Sequence, residues 1–115
     1  MTRRPLVYIA GPYSSNPDVC TYQAMSVGSR MIDAGLTPII PHLTHFIELQ
    51  FPRPYEQWMD YDAELLQVCA HVYRIPGESS GADREVALAE ECGIHVWLPE
   101  HGDLGAFIAD VKGER

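Results

Sequence analysis

Four short apolar runs, each ended by proline or glycine, constrain the fold of this chain more than any other feature. The runs are residues 6–10, 37–40, 71–75 and 94–98. Near-continuous apolar runs of this length are typical of strands buried on both faces of a parallel sheet. Helices are predicted at residues 19–34, 55–69, 82–92 and 103–111. Because strands alternate with helices through short loops, the pattern predicts an α/β fold with a single doubly wound parallel sheet.

Polar residues and glycines predict where these helices begin and end. Asp18 is the predicted N-cap of the first helix, and Gly35 follows its last turn. Ser80 and Asp83 have the spacing of a capping box, and Gly93 ends the helix that they begin. Residues 41–54 are predicted to be irregular or weakly helical and are rich in aromatic side chains.

Size and charge narrow the possible classes of function. With 115 residues, 46% of them hydrophobic, the chain is expected to form one domain over residues 1–115. Its net charge of −8 argues against a nucleic-acid polymer or an anionic membrane as the main partner. No apolar run approaches the roughly 20 residues of a membrane span, and the N-terminus lacks the pattern of a signal peptide. Small molecules and proteins remain as the expected partners.

The cysteines indicate a reducing compartment. Cys20, Cys69 and Cys92 are an odd number without C-x-x-C spacing, which argues against a disulfide framework or a zinc ribbon. We therefore expect a cytoplasmic protein with three reduced, mostly buried thiols.

The order of the elements predicts where a ligand binds. In a doubly wound sheet, ligands bind beyond the carboxyl ends of the strands, at the point where the strand order reverses. The loops at these ends are residues 11–16, 41–45 and 76–81. The third loop has small residues that could expose amides to a phosphate, although it lacks the lysine of a P-loop and the G-x-G-x-x-G spacing.

Glu85 is the acid that the helical pattern holds beside this crevice. The face of its helix that must pack on the sheet is formed by Ala82, Val86, Ala89 and Gly93. Glu85 falls at the flank of that face, in the second turn. An ionised but poorly hydrated carboxylate is a good nucleophile toward an electrophilic carbon. The alternative is a half-exposed side chain that pairs with Arg84 or Arg74.

Two groups of side chains near the second loop have alternative interpretations. His42 and His45 could contact a substrate or be hydrogen-bonded structural residues, and no third ligand at a suitable spacing supports a metal site. The aromatic residues nearby either form a lid that stacks a base or belong to the core or a subunit interface. They are Phe46, Phe51, Tyr55 and Trp58.

Several segments, in order and spacing, match a known family. They are the strand end Tyr8-Ile9-Ala10-Gly11-Pro12-Tyr13, an acidic helix with Asp60 and Asp62, and Ser79-x-Gly81-x-x-x-Glu85 followed by Ala87, Ala89 and Gly93. Over about residues 6–98 the chain resembles the nucleoside 2-deoxyribosyltransferase superfamily, which includes the deoxynucleoside 5′-monophosphate N-glycosidases. It is most similar to a short, largely uncharacterised bacterial and phage branch of that superfamily.

The resemblance implies a flavodoxin-like or Rossmann-like three-layer sandwich that cleaves an N-glycosidic bond. In that family a Glu at the Glu85 position attacks C1′ of the sugar and forms a covalent deoxyribosyl intermediate. A Tyr at the Tyr13 position orients this Glu. An upstream Asp, here Asp62 or Asp60, assists at the base or the sugar. Because residues at i and i+2 of a helix point apart, at most one of these two acids faces the site.

The resemblance also implies how the rest of the substrate is held. Monophosphate hydrolases of the family carry a Ser at the Ser79 position, which favours a nucleotide, but they also carry an Arg after the first strand that residues 13–16 lack. The asparagine that transferases lend to a neighbouring subunit has no counterpart in residues 109–115, so hydrolysis is favoured over base transfer. The expected substrate-binding residues are Gly11, Pro12, His42, His45, Ser79, Ser80 and Gly81.

Together these observations predict an N-glycosidase that acts on a 2′-deoxynucleoside or its 5′-monophosphate. An acidic pocket suits this reaction, because positive charge builds up on the sugar as the bond breaks. Neither a metal nor another cofactor is expected, and self-association as a homodimer or higher homo-oligomer is expected. The alternative is a non-catalytic nucleotide-binding module on the same fold, which regulates a partner.

Overall fold

A computed structural model of the protein describes residues 4–113. Its strands are β1 (Leu6–Ala10), β2 (Thr37–Ile39), β3 (His71–Arg74) and β4 (His95–Trp97). Its helices are α1 (Pro17–Asp33), α2 (His45–Gln50), α3 (Tyr55–Leu66), α4 (Ser80–Glu91) and α5 (Leu104–Val111). Two 3₁₀ turns, Pro41–Thr44 and Pro99–His101, follow β2 and β4.

The four strands form one parallel sheet in the order β2-β1-β3-β4. Leu6 lies opposite Thr37 in the register of β1 with β2, and Val7 lies opposite His71 in that of β1 with β3. The chain therefore passes from β1 to β2 on one side and then to β3 on the other side of β1, so the strand order reverses at β1. The predicted α/β fold with a doubly wound parallel sheet is confirmed.

Alternate residues of β1 pack into two separate cores, which makes the domain three layers thick. Val7 and Ile9 pack with residues of α1 and α5, whereas Tyr8 and Ala10 pack with residues of α3 and α4. All four are fully buried. A strand buried on both faces has no polar alternation, which explains the continuous apolar run in the sequence.

The helix starts differ from the predicted ones. Asn16 caps α1, because its side chain accepts a hydrogen bond from the Val19 amide at 3.3 Å and Pro17 occupies the first turn. Asp18, the predicted cap, lies inside the helix. Likewise Ser79 caps α4 by accepting from the Ala82 amide at 3.1 Å, so the predicted Ser80 capping box is wrong.

Other boundaries agree to within a few residues. The segment predicted to be irregular or weakly helical contains a 3₁₀ turn and the short helix α2. Gly35 and Gly93 have φ angles of +90° and +70°, and each follows the last turn of a helix as predicted. Among residues 4–113, no helix combines the length and apolar character needed to cross a bilayer.

Candidate active site

A cleft of about 360 Å³ opens beyond the carboxyl ends of β1, β2 and β3. Each of the three predicted ligand loops contributes to its wall, through Gly11 and Tyr13, through Pro41 and His42, and through residues 78–81. The α3 helix closes another side. The strand order predicts a ligand site at this edge of the sheet, and the structure has a cleft there.

Glu85 lines this cleft although its residue surface is only 8% exposed. Neither neighbouring arginine forms an ion pair with it, because Arg74 pairs with Asp83 at 3.1 Å and Arg84 pairs with Glu56 at 2.9 Å. The alternative of a half-exposed, ion-paired Glu85 is therefore wrong. Burial, and to a smaller extent the charge of Asp62, raise the pKa of Glu85 to about 7.

The hydroxyl of Tyr8 donates a hydrogen bond to Oε2 of Glu85. Tyr8 lies in the middle of β1 and is fully buried on the face that packs against α4. Burial, and then the charge of Glu85, raise the pKa of Tyr8 far above its ordinary value, so the phenol keeps its proton and remains a donor. This bond favours the ionised form of Glu85 and fixes the direction of its carboxyl group.

The resemblance implies that Tyr13 orients Glu85, whereas in the structure Tyr8 makes that contact. Tyr13 also lines the cleft, but its hydroxyl pairs with Nδ1 of His45 at 2.7 Å. Tyr8 was missed because a tyrosine inside a buried apolar strand has the pattern of a core residue. Only the packing of α4 against β1 brings its hydroxyl to a carboxyl group 77 positions away.

We expect Tyr8→Phe to lower the rate of any reaction that uses ionised Glu85 by about 10- to 100-fold, since a hydrogen bond to a charged group contributes roughly 1.5–3 kcal/mol. The acidic limb of the pH–rate profile should also move to higher pH, because the pKa of Glu85 rises further. Tyr73→Phe is the matched control, since Tyr73 is buried in β3 on the opposite face of the sheet. A normal rate with an unchanged profile in Tyr8→Phe would contradict this role.

The structure separates the two candidate acids of α3. Asp62 is half-buried and lines the cleft, whereas Asp60 is exposed and does not. Burial raises the pKa of Asp62 to about 7. Its Oδ1 atom is buried without a hydrogen-bond partner among the described residues. Asp62 is therefore the acid that α3 brings to the site, and Asp60 is not.

The negative charges of Asp62 and Glu85 repel each other, so ionisation of one carboxyl makes ionisation of the other less favourable and the two titrate as a coupled pair. Only Glu85 has a donor on its carboxyl, from Tyr8, and the positive charges of Arg74 and Arg84 lower its pKa further. Burial is the main cause of the raised pKa of Asp62, and its Oδ1 atom accepts no hydrogen bond from the described residues. The Tyr8 hydrogen bond therefore favours ionisation of Glu85 over ionisation of Asp62, and a pair of carboxyls in these two states can supply a nucleophile and a proton donor.

The buried side chain of Arg74 stabilises the loop between β3 and α4 through hydrogen bonds. Its guanidinium donates to the carbonyls of Ile75 and Gly77, the latter at 2.9 Å, and to Asp83. The loop places Ser79, Ser80 and Gly81 along the cleft. At Gly81 a side chain would meet the Tyr55 hydroxyl, since an added Cβ would lie 2.9 Å from that oxygen. These residues supply backbone amides at the start of α4.

The predicted residues of the first two loops divide into those on the wall and those behind it. Gly11, Tyr13 and His42 line the cleft, whereas His45 lies behind Tyr13. The Pro12 carbonyl accepts a hydrogen bond from Nε2 of His42 at 3.0 Å, so Pro12 positions that ring instead of lining the cleft. No three histidine, cysteine or acidic side chains converge as a metal site would need within residues 4–113.

A second wall of the cleft combines an aromatic ring with a cation. Trp58 donates from Nε1 to Glu48 at 2.9 Å, and the Arg53 guanidinium carbon lies 5.0 Å from the centre of its ring. Glu48 also accepts from the Arg53 amide, which fixes this wall. Of the four aromatic residues named from the sequence, Tyr55 and Trp58 line the cleft, and Phe46 and Phe51 are exposed elsewhere. Glu48 and Arg53 also line the cleft, and no pattern in the sequence indicated this.

No curated protein is significantly similar to this chain. A family match does cover residues 5–98, which include all four strands and every residue discussed for the cleft. Because this match extends over most of the 115 residues, the chain belongs to the family described as a domain of unknown function, DUF7768.

Proposed function

We propose that the protein is an N-glycosidase that cleaves the bond between the base and C1′ of a 2′-deoxynucleoside or its 5′-monophosphate. The observation that carries this proposal is the pair of cleft carboxyls. Glu85 is buried, hydrogen-bonded by Tyr8 and without an ion-pair partner among residues 4–113, and it shares the cleft with Asp62, whose pKa burial raises to about 7. The resemblance to the nucleoside 2-deoxyribosyltransferase superfamily supports the substrate class.

In the proposed first step, a carboxylate oxygen of Glu85 attacks C1′ of the sugar and forms an ester. The C1′–N bond breaks, its electron pair leaves with the base, and Asp62 delivers a proton to the departing nitrogen. The negative charge of Glu85 stabilises the positive charge that develops on the sugar. Trp58 offers an aromatic surface on which the base can stack.

In the second step, water attacks C1′ of the sugar ester and restores the free Glu85 carboxylate. Asp62, now ionised, takes the proton that the water loses, which returns both carboxyls to their starting state. This exchange of roles between two carboxyls is that of retaining glycosidases. We favour water over a second base as the acceptor, on the resemblance described above.

The direct test is incubation with a panel of 2′-deoxynucleosides and their 5′-monophosphates, followed by chromatography for free base. The proposal expects free base and deoxyribose, or its 5-phosphate, in equal amounts from at least one compound. If no compound releases base while one of them raises the melting temperature, the non-catalytic nucleotide-binding module is the correct function. We also propose that the protein is cytoplasmic, because nucleosides and nucleotides are present in that compartment.

We infer self-association through an apolar surface formed by residues 43–51. Five large apolar side chains in this segment are exposed, namely Leu43, Phe46, Ile47, Leu49 and Phe51. Exposed apolar patches of this kind mark interfaces in soluble proteins. Sedimentation equilibrium should give a homodimer or higher homo-oligomer, and Phe46→Glu should shift it toward the monomer. A wild-type monomer at all concentrations would contradict the inference.

A further inference from the structure

Three residues next to the cleft form a continuous hydrogen-bonded chain. The hydroxyl of Tyr13 lies 2.7 Å from Nδ1 of His45, and Nε2 of His45 lies 2.9 Å from Oδ1 of Asp18. The three come from the β1–α1 loop, the start of α2 and the first turn of α1. His45 is 6% exposed, whereas the side chain of Asp18 is 89% exposed.

An ionised Asp18 and a neutral His45 together set the direction of every bond in this chain. A carboxylate can only accept, so Nε2 of His45 carries a hydrogen and donates it to Asp18. In the neutral imidazole, Nδ1 is then the acceptor. The Tyr13 hydroxyl therefore donates its only proton to His45. Toward the cleft, the Tyr13 oxygen has only lone pairs to offer.

We propose that Asp18 and His45 are positioning residues that make Tyr13 an obligate hydrogen-bond acceptor, and that Tyr13 thereby selects a hydroxyl group on the sugar of the substrate over a phosphate. A sugar hydroxyl can donate to the Tyr13 oxygen, whereas the oxygens of a phosphate dianion can only accept. The proposal rests on the function proposed above and assigns a role in specificity within that site.

The charges around Tyr13 agree with this selection. Burial, and then the negative charges of Glu48 and Asp18, raise the pKa of the Tyr13 hydroxyl, so the surroundings of this oxygen disfavour an anion. Residues 13–16 contain no cation. Arg84 and Arg74 are engaged with Glu56 and Asp83, and Arg53, which lines another wall of the cleft, lies over the ring of Trp58.

The test measures binding separately from turnover. In a Glu85→Gln background, which does not consume the ligand, quenching of Trp58 fluorescence reports occupancy of the cleft. The four probes are a 2′-deoxynucleoside, its 3′-deoxy and 5′-deoxy analogues, and its 5′-monophosphate. Tyr13→Phe should weaken binding of the parent nucleoside by about 3- to 10-fold. It should not weaken binding of the analogue that lacks the hydroxyl held by Tyr13.

Asp18→Asn tests the direction of the chain. An asparagine amide can donate to Nε2 of His45, so Nδ1 can carry the hydrogen and the Tyr13 proton can turn toward the cleft. The preference for nucleoside over monophosphate should then fall about 3-fold or more. Asp33→Asn is the matched control, because Asp33 is an exposed acid at the other end of α1 and its removal changes the net charge equally.

The outcomes separate this proposal from the proposed function. Selection by Tyr13 is overturned if Tyr13→Phe weakens binding of all four probes equally. It is also overturned if Asp18→Asn leaves the preference for nucleoside over monophosphate unchanged. Both conclusions hold even if the wild type releases base. The expected pattern without base release overturns the enzymatic function and leaves the selection standing. Binding of none of the four probes overturns both.

Discussion

Glu85→Gln is expected to abolish base release, with a loss on the order of 10³-fold or more, because the amide cannot act as the nucleophile that forms the sugar ester. The substitution keeps the size of the side chain and leaves an oxygen that can accept the Tyr8 hydrogen bond. The fold should therefore be retained. Initial rates of base release, measured by chromatography with the best substrate of the panel, give the result.

The control for this substitution is Glu90→Gln, which removes an exposed acid from the same helix. Its rate should remain close to that of the wild type. If a well-folded Glu85→Gln variant keeps a tenth or more of the wild-type rate, Glu85 is not the nucleophile and water attacks the sugar directly or through another residue.

A second large effect is expected on stability, and it depends on pH. Burial raises the pKa of Glu85 from 4.5 to about 7 in the folded protein. The folded state therefore binds this proton more tightly than the unfolded state, so the free energy of unfolding falls as pH rises between these two values. At 1.36 kcal/mol per unit, the penalty above pH 7 is about 3 kcal/mol. It disappears below about pH 4.5, where the carboxyl is protonated in both states.

Glu85→Gln carries no such penalty, since an amide does not ionise. Relative to wild type, this variant should gain about 2–3 kcal/mol of unfolding free energy between pH 4.5 and pH 8, measured by urea denaturation at a series of pH values. Glu90→Gln should gain nothing comparable, because that side chain is exposed. A gain that is independent of pH would show that Glu85 is not a desolvated carboxyl.

The fold was predictable from the sequence because its signals are local. A strand buried on both faces needs apolar side chains at successive positions, and residues 6–10 show this directly. The helix ends were less predictable, since neighbouring residues compete as caps. Asn16 with Pro17 prevailed over Asp18, and Ser79 prevailed over Ser80.

The site was predictable only where topology decides it. The loops after parallel strands had to meet, and the helical angle of Glu85 placed it beside them. The partners of each group depended on contacts distant in sequence, such as Tyr8 with Glu85 and Asp18 with His45. A tyrosine in a strand and an aspartate in a first turn have ordinary structural explanations, so no local pattern could identify them.

The most direct measurement is mass spectrometric mapping of the protein quenched with acid during turnover. The proposed mechanism predicts one deoxyribosyl group, ester-linked to the α4 peptide that contains Glu85, present in the wild type and absent from Glu85→Gln. Release of base by the wild type with the sugar attached to Asp62, or to no residue at all, would contradict it.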